Sequence, residues 1–321
     1  MRPQRTFSAA AGAALAATLA LGTATPSQAY PDRPIQVIVP YPAGGGTDIV
    51  ARTLASEIEK ELGTSINVVN RGGGGGIVGT SAVARAQPDG YTIGVIASDI
   101  SLYEPQGLAD ITYEDFTAIG QTNELASSIT VRADSPYQSV HDLLTAIKEN
   151  PGELKGTGAP PNANWHFGFL GLMMEEGIDP DNVVWVPTQG GTAGHLDVAA
   201  GNSTFSTASL AEARALIESG KLRPLAVMSE ESIDIFPSVP TLKEEGIDYT
   251  FGLWHGVVAP DGLPEEERQI LLDAVEKAVN SEAFRNTLIN RGFTVVWRPG
   301  DEFREFMKSD YEAAQQIFGE E

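Results

Sequence analysis

An alternation of strand-like and helix-like segments constrains the fold of this chain more than any other feature. An apolar strand predicted over residues 34–40 lies between prolines, and apolar residues then recur at helical spacing over 47–62. The further predicted strands are 65–70, 91–97, 127–133, 153–159, 182–187, 203–208, 223–228 and 254–260, and the further predicted helices are 77–86, 140–148, 165–175, 192–200, 264–280 and 301–318. Such alternation predicts one mostly parallel α/β sheet, or two.

The N-terminus has the pattern of a secretory signal peptide. Arg2 and Arg5 precede an apolar stretch over 9–22, and the small residues Ser27 and Ala29 offer a cleavage site before Tyr30. We therefore expect export to the periplasm with cleavage after Ala29. The remaining chain is long enough to bury a large core, and its length predicts two lobes. Because no long flexible linker is present, we expect strands that cross between the lobes.

Charge and cysteine content exclude several classes of protein. The formal net charge is −22, and loss of the two leader arginines would leave −24, which argues against nucleic acid or anionic lipid as a partner. The sequence contains no cysteine, so neither a disulfide framework nor a lipoprotein anchor is expected. We expect no cofactor and a monomeric state.

The stretch VPYPAGGGTDIVAR, residues 39–52, places three glycines between a strand and a helix. Thr47 is a good N-cap candidate for that helix. Free backbone N–H groups at a helix start, with the helix dipole behind them, favour a carboxylate or a phosphate. A tight turn without a ligand is the alternative, and this motif alone does not decide between the two.

A second glycine run, NRGGGGGIVG over residues 70–79, matches the dinucleotide pattern G-x-G-x-x-G. Asp99 even lies twenty residues after Gly79, as a ribose-binding acid would. The match is a weak signal, because it falls inside a run of five glycines and follows the second strand. We therefore do not predict a nucleotide site.

Two more loops of this kind lie in the second half of the chain. In VPTQGGTAGHLDVAAG, residues 186–201, Gly190 and Gly191 precede a helix expected to begin near Thr192. This design repeats the first junction, so two helix N-termini, one from each lobe, are expected to face each other across a cleft. The loop over 156–166 adds Asn162, Asn164 and Trp165.

The sequence contains no convincing catalytic or metal-binding motif. The four histidines are dispersed, without an H-x-x-x-H pair, so a zinc site is not predicted. No G-x-S-x-G elbow is present. His195 and Asp197 are two residues apart, and on a helix they point to different faces. We therefore predict that the protein is not an enzyme.

Several long motifs resemble those of one family. The stretches 39–52, 69–92, 186–201, 236–246 and 254–267 closely resemble the periplasmic receptors of tripartite tricarboxylate transporters, the Bug-type (TctC-like) solute-binding proteins. The resemblance spans the whole chain after the leader. It implies a two-lobed periplasmic-binding-protein (Venus-flytrap, type II-like) α/β fold that closes on its ligand. Lobe one would comprise residues 30–129 plus 254–321, and lobe two 130–253.

The resemblance also implies a ligand and a site. The expected ligand is a di- or tricarboxylate or an aromatic acid, delivered to a large and a small membrane subunit of the transporter. Its carboxylates would be held largely by backbone N–H groups, hydroxyls and water. The expected ligand-binding residues are Tyr41, Ala43, Gly44, Gly45, Gly46, Thr47, Asp48, Ser98, Asn162, Asn164, Trp165, His166, Gly190, Gly191, Thr192 and Asp197.

The sequence departs from the family pattern at positions that bear on the ligand. Asn162 and Ala163 replace a Gly-Ser pair that is often found near the histidine matched by His166, and Thr188 replaces a frequent tyrosine. Trp165 would suit stacking on an aromatic acid, although a tryptophan at a helix start is more often part of the core. Two alternatives remain open: a receptor that signals to a sensor kinase, and an exported enzyme on the same fold.

Overall fold

A computed structural model describes Met1, residues 30–41 and residues 43–318. The predicted signal peptide and its cleavage site lie outside the described residues. The strands are β1 (Ile35–Val39), β2 (Ile66–Asn70), β3 (Thr92–Ala97), β4 (Phe116–Ala126), β5 (Ser128–Arg132), β6 (Leu154–Thr157), β7 (Val183–Val186), β8 (Phe205–Ser206), β9 (Leu222–Val227), β10 (Gly252–Pro260) and β11 (Thr294–Pro299). The α-helices are α1 (Gly46–Leu62), α2 (Ile77–Ala84), α3 (Ile100–Tyr103), α4 (Val140–Glu149), α5 (Asn164–Glu175), α6 (Gly191–Ala199), α7 (Leu210–Glu218), α8 (Glu265–Asn280), α9 (Glu282–Ile289) and α10 (Gly300–Phe318).

The strands form two separate sheets. The first sheet has the order β11-β4-β10-β3-β1-β2, and the second has the order β7-β6-β8-β5-β9. This arrangement confirms the predicted α/β class with two sheets. The prediction of mostly parallel sheets is wrong, because β10 pairs antiparallel with both β3 and β4, and β5 pairs antiparallel with both β8 and β9. The β1-β2-β3 and β6-β7-β8 portions are parallel.

The chain passes between the sheets at two places. It leaves the first sheet at Ala126, where β4 ends, and β5 of the second sheet begins at Ser128. It returns after β9, which ends at Val227, to enter β10 at Gly252. These crossings agree with the expected lack of a flexible linker. The lobe boundaries at 129/130 and 253/254 remain our proposal.

Each sheet has its own apolar core. Val50, Leu54 and Ile58 of α1 are buried against β1 and β3, together with residues of α8 and α9. In the second sheet, α4 and α5 bury their apolar faces around Phe169 and Phe205. Within the described residues, no helix combines the length and the apolarity that crossing a bilayer requires.

Candidate ligand-binding cleft

A cavity of about 530 Å³ lies between the two sheets. We call it the cleft cavity. Its size falls within the range of roughly 300–1,000 Å³ typical of small-molecule pockets. Its lining residues are Tyr41, Gly45, Gly46, Thr47, Ala97, Asp99, Leu125, Ala159, Pro160, Ala163, Asn164, Trp165, Gly190, Ala211, Glu212, Leu253, His255, Arg291 and Phe293. Several of them directly follow the carboxyl ends of β1 and β3, where open α/β sheets place their ligands.

The N-terminus of α1 opens onto the cleft cavity. The predicted N-cap, Thr47, is wrong: the N-cap residue is Gly45, an extended residue with φ −77° that offers no side-chain cap. The positive φ that requires glycine belongs to Gly44, at +83°. The Gly44 N–H donates to Asp48 Oδ2 at 2.8 Å, whereas the N–H groups of Gly46 and Thr47 have no partner among the described residues. The start of α1 therefore presents free donors and a positive dipole end to the cavity.

Thr47, His255 and Asn123 form a short chain of side-chain hydrogen bonds. Asn123 Nδ2 lies 3.0 Å from His255 Nδ1, and His255 Nε2 lies 3.0 Å from Thr47 Oγ1. An amide nitrogen only donates, so Nδ1 accepts and the ring proton resides on Nε2. Burial lowers the pKa of His255 to about 4, which keeps the ring neutral. Thr47 therefore accepts from the imidazole, and its own hydroxyl proton is free to donate into the cavity.

Asp99 is a carboxylate in the wall of the cavity, held by residues from both sides of the cleft. Tyr41 Oη donates to Oδ2 at 2.5 Å, and Asn164 Nδ2 donates to Oδ1 at 2.6 Å. Burial raises the pKa of Asp99, and the two hydrogen bonds act in the opposite direction. Ser98 donates to Oδ1 of the same Asn164 at 3.4 Å. This network joins the end of β3 to the start of α5.

The five-glycine run supports this network. Gly76 has φ +101°, and a Cβ there would lie 2.6 Å from Tyr103 Oη and 3.0 Å from Tyr41 Oη. Gly79 approaches Pro40, where a Cβ would lie 2.5 Å from that residue's Cα. These glycines let α2 pack close to the end of β1 and leave room for the Tyr41 ring. Their role is therefore explained by packing without any nucleotide.

The N-terminus of α6 already has a carboxylate partner within the protein. Glu212, from α7, accepts from Ser209 Oγ at 2.9 Å, and the backbone N–H groups of Gly191 and Thr192 lie near its carboxylate. Burial raises the pKa of Glu212, and these donors lower it. A Cβ at Gly191 would lie 2.4 Å from Glu212 Oε2. The second glycine junction thus faces the protein's own acid, and only Gly190 of that junction lines the cavity.

Arg291 brings a positive charge to the cavity wall. It follows α9, and its guanidinium makes neither an ion pair nor a hydrogen bond with any described residue. Phe293, two residues later, packs on the start of α1, since a Cβ at Gly46 would lie 3.3 Å from its ring. Gly292, between Arg291 and Phe293, packs closely against Ala211 of α7. A Cβ added at Gly292 would lie 2.5 Å from the Ala211 Cβ. The two sides of the cleft therefore touch at this turn.

The predicted site residues divide into two groups. The cavity brings together Tyr41, Gly45, Gly46, Thr47, Asn164, Trp165 and Gly190. Outside its lining lie Ala43, Gly44, Asp48, Ser98, Asn162, His166, Gly191, Thr192 and Asp197.

Several residues outside the lining have structural partners. Asp48 accepts from Arg52 and Asn70 as well as from Gly44. Asp197 accepts from Asn202 at 3.2 Å and from Ser203. The ring of His166 packs on Trp185, with 4.4 Å between ring centroids.

Sequence reasoning missed four charged or polar lining residues: Asp99, Glu212, His255 and Arg291. Asp99 was noticeable only as the acid of a rejected nucleotide motif. His255 stands in a strand-like stretch that gives no sign of its partners. Nothing in the sequence around Glu212 or Arg291 marks them as site residues, because the fold brings both from distant segments.

Comparisons with known proteins agree on one family. The family model described as "Tripartite tricarboxylate transporter family receptor" matches residues 50–320. BugT of Bordetella pertussis is 28% identical over 299 residues, which cover 92% of this chain and 91% of that protein.

Solved structures give the same answer. A ligand-free TctC solute-binding protein from Polaromonas has 34% identity and a TM-score of 0.83, with 91% of this chain and 100% of that chain covered. MatC from Rhodopseudomonas palustris, solved with bound malate, has 25% identity and a TM-score of 0.70, with 90% of this chain and 100% of that chain covered. The chain therefore belongs to the solute-binding receptor family of the tripartite tricarboxylate transporters.

Proposed function

We propose that this protein captures a small organic carboxylate in the periplasm and delivers it to the membrane subunits of a tripartite tricarboxylate transporter. The observation that carries the proposal is the uncapped N-terminus of α1, which presents free N–H groups to the cleft cavity. Malate in the related MatC is a ligand of this chemical class. Export with cleavage after Ala29 is part of the proposal.

The donor groups around the cavity can supply much of the affinity of a micromolar receptor. A helix N-terminus contributes about 0.3–2 kcal/mol to binding an anion. Each charge-assisted hydrogen bond, from the Thr47 hydroxyl or the Arg291 guanidinium, contributes about 1.5–3 kcal/mol. Together these terms amount to about 3–8 kcal/mol, and the upper end corresponds to a micromolar dissociation constant.

The Thr47–His255 pair resembles the nucleophile and general base of a hydrolase. The proton on His255 Nε2, however, prevents the imidazole from acting as that base. A general base must accept the nucleophile's proton, and here the Nε2 atom that faces Thr47 already bears one. The family is described as one of receptors, and the relative from Polaromonas is a solute-binding protein. We therefore propose binding without turnover.

Uptake measurements test the transport role. Deletion of the gene should abolish uptake of a carboxylate that the purified protein binds, and the wild-type gene should restore it. Arg291→Gln should restore uptake poorly, whereas Arg85→Gln should restore it fully, because Arg85 lies at the end of α2 outside the cavity lining. Normal uptake in the deletion strain, with loss of carboxylate-induced gene expression, would instead indicate a receptor for a sensor kinase.

A further inference from the structure

The acidic groups of the cleft cavity bear on the class of carboxylate that it accepts. Its charged lining residues are Asp99, Glu212 and Arg291, so two acids face the cavity with one base. The lining histidine, His255, is neutral. Backbone N–H groups and hydroxyls can hold a carboxylate without a net positive charge, but a net negative wall opposes a ligand that carries two or three carboxylates. The excess of negative groups calls for a ligand with a positive group of its own.

The two acids differ in how the protein satisfies them. Glu212 accepts a hydrogen bond from Ser209 and lies at the N-terminus of α6, where the nearby N–H groups of Gly191 and Thr192 lower its pKa. Asp99 receives one neutral hydrogen bond on each oxygen, from Tyr41 and Asn164. Each carboxylate oxygen accepts about two hydrogen bonds, so both oxygens of Asp99 retain capacity. No lysine or arginine of the described chain pairs with it.

A desolvated carboxylate without a counterion is costly, and a cationic ligand group removes that cost. A second ligand carboxylate would have the opposite effect, because it would approach Asp99 as a like charge. Three aromatic residues also line the wall, Tyr41, Trp165 and Phe293, and aromatic rings attract a cationic nitrogen at their faces. The same rings accommodate an apolar side chain.

We propose that the cleft cavity selects a carboxylate that also carries a protonated amine, with the ammonium group at Asp99 and the carboxylate at the α1 N-terminus and Arg291. The inference rests on the proposed function, since it assumes that the carboxylate binds in this cavity. It narrows the ligand class from carboxylic acids in general to amino acids and related zwitterions.

Matched pairs of acids that differ by one amino group test the inference. The purified protein is titrated by calorimetry with L-glutamate and glutarate, with L-aspartate and succinate, and with L-phenylalanine and 3-phenylpropanoate. In at least one pair, the amine-bearing member should bind about ten-fold more tightly or better, which corresponds to about 1.4 kcal/mol. A smaller preference in every pair, or a preference for the amine-free acids, would overturn the inference and leave the proposed function intact. Failure of every carboxylate to bind would contradict both.

Two variants locate the preference. Asp99→Asn should remove it, mainly by weakening binding of the amine-bearing acid. Asp197→Asn is the matched control, because it removes a carboxylate that Asn202 and Ser203 hold outside the cavity lining. It should retain the preference. If both variants keep the preference, the ammonium is not at Asp99. If Asp99→Asn does not fold, the wild-type pairs alone decide the inference.

Discussion

His255 Nε2 lies 3.0 Å from Thr47 Oγ1, across the junction between β10 and the start of α1. Because Asn123 occupies the other ring nitrogen, the imidazole donates and the threonine accepts. The buried strand β10 thereby orients a hydroxyl at the N-terminus of α1. This orientation leaves the Thr47 proton for a ligand oxygen.

Replacement of Thr47 by valine should weaken ligand binding. The change keeps the shape and removes the hydroxyl, so we expect about a ten-fold loss of affinity, near 1.4 kcal/mol. The buried His255 N–H would also lose its acceptor, at a cost of about 1–3 kcal/mol in the free energy of unfolding. Calorimetry and chemical denaturation measure the two effects. The control is Thr53→Val on the same helix, whose hydroxyl donates to the Ile49 carbonyl away from the cavity; equal affinity loss in both variants would contradict the role of Thr47.

Substitution of Gly191 by alanine should destabilise the fold. Its Cβ would lie 2.4 Å from Glu212 Oε2 and 2.5 Å from the Ala208 Cβ, and overpacking of this kind costs about 1–3 kcal/mol. Chemical denaturation should show a lower midpoint for this variant. Thr192→Ala, at the exposed next position, should leave the midpoint nearly unchanged. A wild-type midpoint for Gly191→Ala would show that α6 does not pack against Glu212 as described.

Asp310 should make stability depend on pH in a definite direction. Burial raises its pKa from 3.8 to about 6, so between these values the folded state binds more protons than the unfolded state. The contribution of Asp310 to the free energy of unfolding is therefore lost as the pH rises from 3.8 to about 6. Asp310→Asn removes this dependence. The melting temperature of the variant minus that of wild type should thus be larger at pH 7.5 than at pH 4.5. The same difference at both pH values would contradict the raised pKa of Asp310.

Export should remove the first 29 residues. N-terminal sequencing or intact mass of the protein recovered from the periplasm should show a start at Tyr30. Recovery of the chain with Met1 still in place would contradict the signal-peptide prediction.

The sequence predicts the α/β class and most helices and strands because their apolar spacing is regular. It fails at β4, for which no strand is predicted: the consecutive residues Gln121, Thr122 and Asn123 are polar, although all three are fully buried. They tolerate burial because the neighbouring strand supplies partners: Thr122 donates to the His255 carbonyl, and Asn123 bonds the His255 ring. Such compensation depends on the pairing of β4 with β10, which local sequence does not reveal.

The same limit applies to the site. The glycines before α1 predict an open helix start, and the structure places that start in the cleft cavity. The glycines before α6 predict an open helix start in the same way. There, however, Glu212 of the following helix already lies at the N-terminus. Asp99 and Arg291 likewise reach the cavity through tertiary packing alone. Local sequence patterns identify helix N-termini that can bind an anion. Only the fold shows which of these N-termini already face an acid of the protein itself.

Calorimetric titration of the purified protein with a panel of mono-, di- and tricarboxylates and amino acids tests the central claim most directly. We expect at least one small carboxylate to bind one site per chain, with an affinity near micromolar, and to be recovered chemically unchanged. Saturation at about 100 times the dissociation constant should also add about 2.7 kcal/mol to the free energy of unfolding. Absence of binding across the panel, or conversion of the bound acid to a product, would contradict the account.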